Sequence, residues 1–420
     1  MSILIKNVLL EDKSRKNIFI QDNLISEIDE NSYEADKVID GTNLMAIAPF
    51  YNMHTHAAMT LFRGYGDDLP LMDWLQNYIW PIEAKLTPED VYHGTRLACL
   101  EMIKSGTTYF MDMYWHLEGT YKAVEEMGIR ANLSSVFIDQ FDPEQAKKQQ
   151  AVALTELEKY QDKNSLIEIG LGPHAIYTVS PDTLKWVANQ AKERNLKLHI
   201  HLSETQFEID QCLKQNGVRP VKYLDQLGVL SENVFAAHSI WLDNEEIEIL
   251  KSRKVKSICN PISNLKLVSK DTCHMSDLED QGITTLLGTD GASSNNNLDM
   301  FEEMKIAAIM QKHMCDDTTK MSANQIYKIA TQNSAKACGI NGGAIEKGKL
   351  ADIILINTNI PENTPIHDPI SNVVYALNGS CVNTTIVNGK ILMENRVVPN
   401  EQEIIDSAKN CVEALFSINR

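Results

Sequence analysis

Between about residues 47 and 350, short apolar runs of strand length alternate with longer segments of helical periodicity. The runs are AIAPFYNMH, TTYFMDMYW, ANLSSVFID, LIEIGLGPH, LKLHIHLSE, VFAAHSIWL, VKSICNP and TTLLGTDG. Eight strands, each followed by a helix, are what a (β/α)8 TIM barrel of the α/β class requires, because right-handed crossovers let consecutive strands lie side by side until the sheet closes. An open doubly wound sheet shows the same alternation, so the count of eight carries the choice. Two helix starts are marked locally. Thr87-Pro88-Glu89-Asp90 sets a cap residue before a proline, with acids in the first turn, and Ser180-Pro181-Asp182 repeats the device.

The flanks have a different pattern. Residues 1–46 carry short alternating strands, IFIQDNLISEIDE among them, and ADIILINTN and TTIVNGKILMENRVV follow after residue 351, with Asn388-Gly389 as a hairpin turn. Such strands need a partner sheet. The expectation is a small composite β-sandwich built from residues 1–46 and 351–420, its last stretch of about 20 residues helical, beside a barrel spanning 47–350.

Composition narrows the class. The chain has 420 residues, 43% hydrophobic and 23% charged, which supplies a large core and gives no support to wholesale disorder. Its net charge of −18 repels phosphate backbones and anionic membranes, so neither nucleic acid nor membrane is expected as a partner. The eight cysteines are scattered singly, without a Cys-x-x-Cys pair, and read as reduced core thiols. MSILIKNVLLEDKSRK alternates like a strand and lacks a signal-peptide apolar region, which fits a cytoplasmic protein.

Active sites of barrels lie at the C-terminal ends of the strands, and reactive side chains fall there in this sequence. His54 and His56 end the first run, and their spacing of two points both imidazoles to one face, close enough to share a metal. His201 ends the fifth run with Glu204 three residues on, His238 ends the sixth, and Asp290 ends the eighth. Alone, a strand-end histidine is more often a satisfied structural residue. Together the six point to a mononuclear metal site. Three neutral imidazoles and a carboxylate suit one Zn²⁺ per subunit, with Fe²⁺ or Mn²⁺ as alternatives. Such a metal lowers the pKa of bound water from 15.7 to about 7. Glu204 is spaced to sit beside that water and move its proton, although a helix N-terminal acid would have the same spacing. His238 is placed to orient the nucleophile or stabilise charge, and Asp290 can accept a proton on its second oxygen.

The strings PFYNMHTHAAMTLFRGYGDDLPLMDWL, IWPIEAKLTPEDVYHG, GPHAIYTVSP, LHIHLSET, AAHSIWLD, NPISNLKL, LLGTDGASSNNNLDMFEEM and EKGKLADIILIN carry a resemblance. The chain resembles the amidohydrolase superfamily, and within it the 5-methylthioadenosine/S-adenosylhomocysteine deaminases, over nearly its whole length. The resemblance implies that His54, His56, His201 and Asp290 bind the metal, that Glu204 and His238 carry proton chemistry, and that Glu83 and His174 contact a nucleoside, with Glu204 also touching the base. It implies a hydrolytic deaminase acting at purine C6. A carboxylate such as Glu83 accepts two hydrogen bonds and fits the vicinal hydroxyls of a ribose. Trp80, Met59 and Leu61 are candidates for apolar cover of the substrate, with core packing the plainer account. Arg63 reads as an anchor for the loop after the first strand.

Two departures shape the expectation. LIEIGLGPHAIYT lacks the lysine that binuclear members carbamylate, which favours one metal ion. No arginine lies between Arg130 and Arg194 to grip the amino-acid carboxylate of S-adenosylhomocysteine, and Lys147 or Lys148 is a poorer substitute. Methylthioadenosine, adenosine and 5′-deoxyadenosine therefore rank above S-adenosylhomocysteine. A deaminase of free guanine or cytosine, or a triazine hydrolase, keeps the same site without needing Glu83; a metal-free interaction protein of this fold would not need all four ligands. His116-Leu-Glu118 matches half of the other zinc-deaminase motif, but no Pro-Cys-x-x-Cys follows. A homo-oligomer is left open.

Overall fold

The computed structural model describes residues 1–269 and 271–417. Five strands precede the barrel: β1 (Ser2–Leu9), β2 (Arg15–Gln21), β3 (Leu24–Asp29), β4 (Lys37–Asp40) and β5 (Leu44–Ile47). The eight predicted runs then supply β6 (Phe50–Thr55), β7 (Thr107–Met113), β8 (Arg130–Phe137), β9 (Ile167–Pro173), β10 (Leu198–Leu202), β11 (Val234–His238), β12 (Lys256–Cys259) and β13 (Thr285–Leu287). These pair in parallel in chain order. Last and first strands are joined beyond their ladders. Asp290 N donates to His54 O at 2.9 Å, and the Asn52 amide exchanges hydrogen bonds with Thr289 N and Oγ1 at 2.9 and 2.7 Å.

Successive strand residues serve two cores, as a period of two requires. Met53, Met111, Phe235, Ile258 and Leu286 form one cluster contributed by five barrel strands. Their neighbours Ala236 and Leu287, with Leu133, Ile169 and Ile200, belong to the larger core shared with helices such as Pro181–Arg194. The register of β6 against β7 slips between Asn52 and Thr55. A slip re-aims side chains. Met53 thus lies in the barrel cluster while the next residue, His54, meets the imidazoles of His199 and His201.

After the barrel come β14 (Ile353–Asn357), β15 (Val382–Val387) and β16 (Lys390–Met393). The two chain ends meet in one mixed sheet of order β16-β15-β14-β5-β1-β2-β3, with β4 beside β1. Ile3, Ile5, Ile18, Ile20, Ile353 and Leu355 form its own core, whereas Met45, Ile47, Ile354 and Ile356 pack into the core shared with the barrel. A buried ion pair, Arg130 Nε to Asp352 Oδ2 at 2.8 Å, ties β8 to the residue before β14. The predicted hairpin turn is present. Asn388 and Gly389 take φ of 52° and 73°, and a Cβ on Gly389 would lie 1.8 Å from Asp22 O, so only glycine fits.

Three expectations are refined. AIAPFYNMH divides between sheets, Leu44–Ile47 pairing with β14 and Phe50–Thr55 opening the barrel; Pro49, between them, has no N–H to donate. The C-terminal helix, Glu401–Ser417, packs on Pro88–Lys104 rather than on the end sheet, with Arg96–Glu403 and Lys104–Glu401 contacts of 2.6 Å; residues 418–420 lie outside the described residues. The reading of eight reduced thiols is corrected at one pair. Cys259 and Cys273 are bridged, because folding brings their Cα atoms to 5.5 Å across a separation of 14 residues. The helices starting at Thr87 and Ser180 are capped as expected, the first with a full capping box. Among the described residues, no helix is long and apolar enough to cross a membrane.

Candidate active site

His54 Nε2 and His56 Nε2 lie 3.4 and 3.3 Å from Asp290 Oδ1, and His201 Nε2 lies 3.3 Å from His56 Nε2. Strand ends bring all four to one point although they span residues 54 to 290. His54 is fully buried, yet its Nε2 has no hydrogen-bond partner among the described residues. An orphaned imidazole nitrogen facing two more imidazoles and a carboxylate is what a borderline divalent cation takes up. The donor set therefore fits a metal ion. Proton positions agree. His56 Nδ1 and His201 Nδ1 sit 2.7 and 2.9 Å from the carbonyls of Met113 and His174, which can only accept, so each ring carries its proton on Nδ1 and keeps Nε2 free.

The electrostatics favour neutral His54 and His201 beside one anion. Burial pushes His54 down to about 4, against the pull of Asp290, and burial with neighbouring imidazoles holds His201 well below its ordinary range. For Asp290 burial works against the charge, but the His54 contact and the other imidazoles prevail and hold it well below the carboxylate range. Ser263 and Ser294 donate to Asp290 Oδ2 at 2.6 and 3.1 Å, and Gly291 N to Oδ1 at 2.7 Å. These bonds fix the carboxylate plane, and Oδ2 is already engaged by the two hydroxyls.

His238 also lies within reach of His54 and His201. Its proton position separates it from them. Asn264 Nδ2 lies 3.0 Å from His238 Nδ1 and donates to it, which leaves the proton on Nε2, 3.8 Å from Glu204 Oε1. A ring with Nε2–H offers no lone pair there to a cation, but it is a donor to an oxyanion. Glu204 follows Ser203, whose backbone is left-handed at φ 52°, and His238 and Asp290 are left-handed as well, at 73° and 65°. Such backbone concentrates at functional sites. Glu208 holds the turn, its two oxygens accepting from Ser203 N and Glu204 N at 3.0 Å each. The first-turn acid of helix Gln206–Asn216 is Glu208, so the plain reading proposed for Glu204 belongs to its neighbour. Burial raises the Glu204 carboxyl, opposed by His238.

Glu83 and His174 face the same cavity of about 210 Å³, which His56, Glu204 and Asp290 also line. Tyr114 OH donates to Glu83 Oε1 at 2.8 Å, and burial pushes Glu83 up to about 7. His174 Nδ1 lies 2.9 Å from Thr178 Oγ1, and burial drives the ring down to about 3. Trp80 and Met59 line the cavity, whereas Leu61 is buried in the core of the loop after β6. Arg63 anchors that loop to Glu101 and to the carbonyl of Asn296. A side chamber of about 1120 Å³ shares Glu83, Tyr114 and His174 and reaches Lys148 and Gln149 on helix Pro143–Tyr160. Lys147 instead pairs with Glu144 at 2.9 Å and is mostly exposed.

Sequence reasoning missed Tyr114, Ser263, Asn264, Glu208 and His199. Only His199 left a readable sign, because His199 and His201 repeat the two-residue spacing of His54 and His56.

Water activated at neutral pH is the nucleophile that such a mouth can deliver, and this places the molecule among the metal-dependent hydrolases built on a parallel barrel. The particular family follows from the sequence as a whole: the amidohydrolase family model matches residues 45–392, and the chain belongs to that family. It is 47% identical over 383 residues to a 5′-deoxyadenosine deaminase of Methanoregula boonei, covering 91% of this chain and 87% of that one. It is 48% identical over 400 residues to a 5-methylthioadenosine/S-adenosylhomocysteine deaminase of Thermococcus kodakarensis, covering 94% of each. Among solved structures, an adenosine deaminase from Xanthomonas campestris with bound zinc superposes with a TM-score of 0.93 at 30% identity, covering 99% of this chain and 98% of that one.

Proposed function

We propose that this protein is a metal-dependent hydrolytic deaminase that converts an adenosine-type nucleoside to the inosine-type product and ammonia. Its relatives' names support the substrate class. The observation that carries the reading is a half-buried, ribose-suited carboxylate, Glu83, in the same cavity as His56, His201 and Asp290 of the metal-site cluster.

His54, His56, His201 and Asp290 would hold one Zn²⁺, or Fe²⁺ or Mn²⁺ in its place. When bound, such an ion supplies Lewis acidity and a water activated at neutral pH. Glu204 takes the proton of the attacking water and delivers it to N1 as the new C–O bond forms at C6. His238, with its proton on Nε2, donates to the developing oxyanion, and Asp290 presents the opposing carboxylate that keeps the water aligned. The remaining proton of the added hydroxyl passes to the exocyclic nitrogen, the C6–N bond breaks as the C6 carbonyl forms, and ammonia leaves. Glu83 accepts from the ribose hydroxyls, while His174 and Trp80 bound the purine. Leu71, Trp74 and Ile79, from the segment after β6, give the cavity an apolar wall.

The side chamber opens beyond Glu83 and gives a 5′ substituent room. Lys148 and Lys159 offer it point charges but no planar fork, so 5′-deoxyadenosine, methylthioadenosine and adenosine are proposed ahead of S-adenosylhomocysteine. A spectrophotometric screen of these four nucleosides with guanine and cytosine tests the reading. Turnover of the first three is expected; turnover of guanine alone would overturn it.

A further inference from the structure

We propose that His199 is a positioning residue: it sets where His54 carries its proton, and thereby whether His54 Nε2 is free to bind a metal ion. The inference rests on the metal reading given above. All three ligand imidazoles share one requirement, since Nε2 can bind a cation only if the proton sits on Nδ1 and Nδ1 finds an acceptor. For His56 and His201 the acceptors are backbone carbonyls, which settle the matter because a carbonyl cannot donate.

His54 has no such carbonyl. Its Nδ1 lies 2.8 Å from His199 Nε2, and both rings are fully buried, crossing at 84°. An imidazole can accept or donate. With the His199 proton on Nδ1, its Nε2 accepts from His54 and leaves His54 Nε2 with a lone pair. With the His199 proton on Nε2, the bond reverses, and the His54 proton moves to Nε2, where Asp290 Oδ1 waits at 3.4 Å. Two arrangements of one hydrogen bond therefore differ in metal competence.

The surroundings do not favour the competent arrangement by themselves. His199 Nδ1 is buried and has no hydrogen-bond partner among the described residues, so in that state its N–H goes without a protein acceptor. In the other state the Asp290 carboxylate gains a donor. A cation on His54 Nε2 selects the first. His54 is thus the one ligand whose readiness is adjustable, and His199 adjusts it.

The test is the Zn²⁺ affinity of the full chain, by competition with a chromogenic chelator, for wild type, His199→Gln and His199→Leu. Glutamine keeps an acceptor for His54 Nδ1–H; leucine removes it. Lost support of a ligand histidine typically weakens metal binding by about 10–100-fold. The expectation is that loss for His199→Leu, with most of the affinity restored in His199→Gln. In ¹⁵N-histidine spectra of the wild type, the His54 proton should move from Nε2 to Nδ1 on zinc addition. Equal affinity in wild type and His199→Leu, or a His199 proton found on Nε2 in the zinc-loaded wild type, would overturn the role of His199 alone. Failure of the wild type to bind zinc would overturn the metal reading with it. Should the leucine variant not fold, His199→Phe and the wild-type spectra decide.

Discussion

Replacing Glu83 with glutamine keeps shape and volume and removes the charge. Tyr114 OH already uses one lone pair of Oε1 at 2.8 Å, which leaves Oε2 and the remaining pair of Oε1 for the 2′- and 3′-hydroxyls of a ribose. In Glu83→Gln the tyrosine still requires the oxygen, so the amide NH₂ is turned to the substrate and meets hydroxyls as a donor. Losing one charge-assisted hydrogen bond costs about 1.5–3 kcal/mol, or roughly 10–100-fold in kcat/KM, and losing both sets an upper limit beyond that. The assay is a cycle of wild type and Glu83→Gln against adenosine and 2′,3′-dideoxyadenosine. The variant should lose 10–100-fold more on adenosine than on the dideoxy compound, at roughly the stated energy per bond. Equal losses on both would refute the ribose assignment and leave Glu83 as a structural partner of Tyr114.

Three further outcomes are expected. Glu83 is pushed up to about 7 by burial, so it is protonated below that pH and ionised above it; kcat/KM for nucleosides should rise with pH through about 7, and this limb should vanish in Glu83→Gln but persist if another group causes it. Glu204→Gln should retain its metal by elemental analysis while losing about 10²–10⁴-fold in kcat, and loss of the metal instead would make Glu204 a ligand. Asp352→Ala leaves Arg130 buried without its partner and should destabilise the fold by about 3–5 kcal/mol in urea unfolding, whereas a change under about 1 kcal/mol would show that the pair does not tie the end sheet to the barrel.

Much of the site was legible because its residues sit at strand ends, where one residue type at one position has one meaning. His54, His56, His201 and Asp290 converge because eight parallel strands must put their C-terminal ends at one mouth. The contacts that refine their chemistry were not legible, since each joins elements far apart in sequence. Tyr114 reaches Glu83 across 31 residues, Asn264 reaches His238 across 26, and His199 reaches His54 across 145. No periodicity reports such pairs. The Cys259–Cys273 bridge was hidden for the same reason, and scattered cysteines without a motif read as thiols. The division of AIAPFYNMH was in view all along, at Pro49, but hydrophobicity continues across it. Glu204 and Glu208 show the limit in miniature: both acids stand near a helix start, and only the backbone of Ser203 decides which one holds the turn and which one faces the cavity.

The central claim is that metal-activated water displaces ammonia from purine C6. It is tested most directly by incubating the zinc-loaded enzyme with 5′-deoxyadenosine in ¹⁸O-labelled water while ammonia and product are measured together. One ammonia for each 5′-deoxyinosine, with the label at O6 and turnover abolished by a chelator and restored by zinc, is the predicted result. Unchanged 5′-deoxyadenosine with the metal site fully loaded, or turnover that persists in the chelated enzyme, would contradict it.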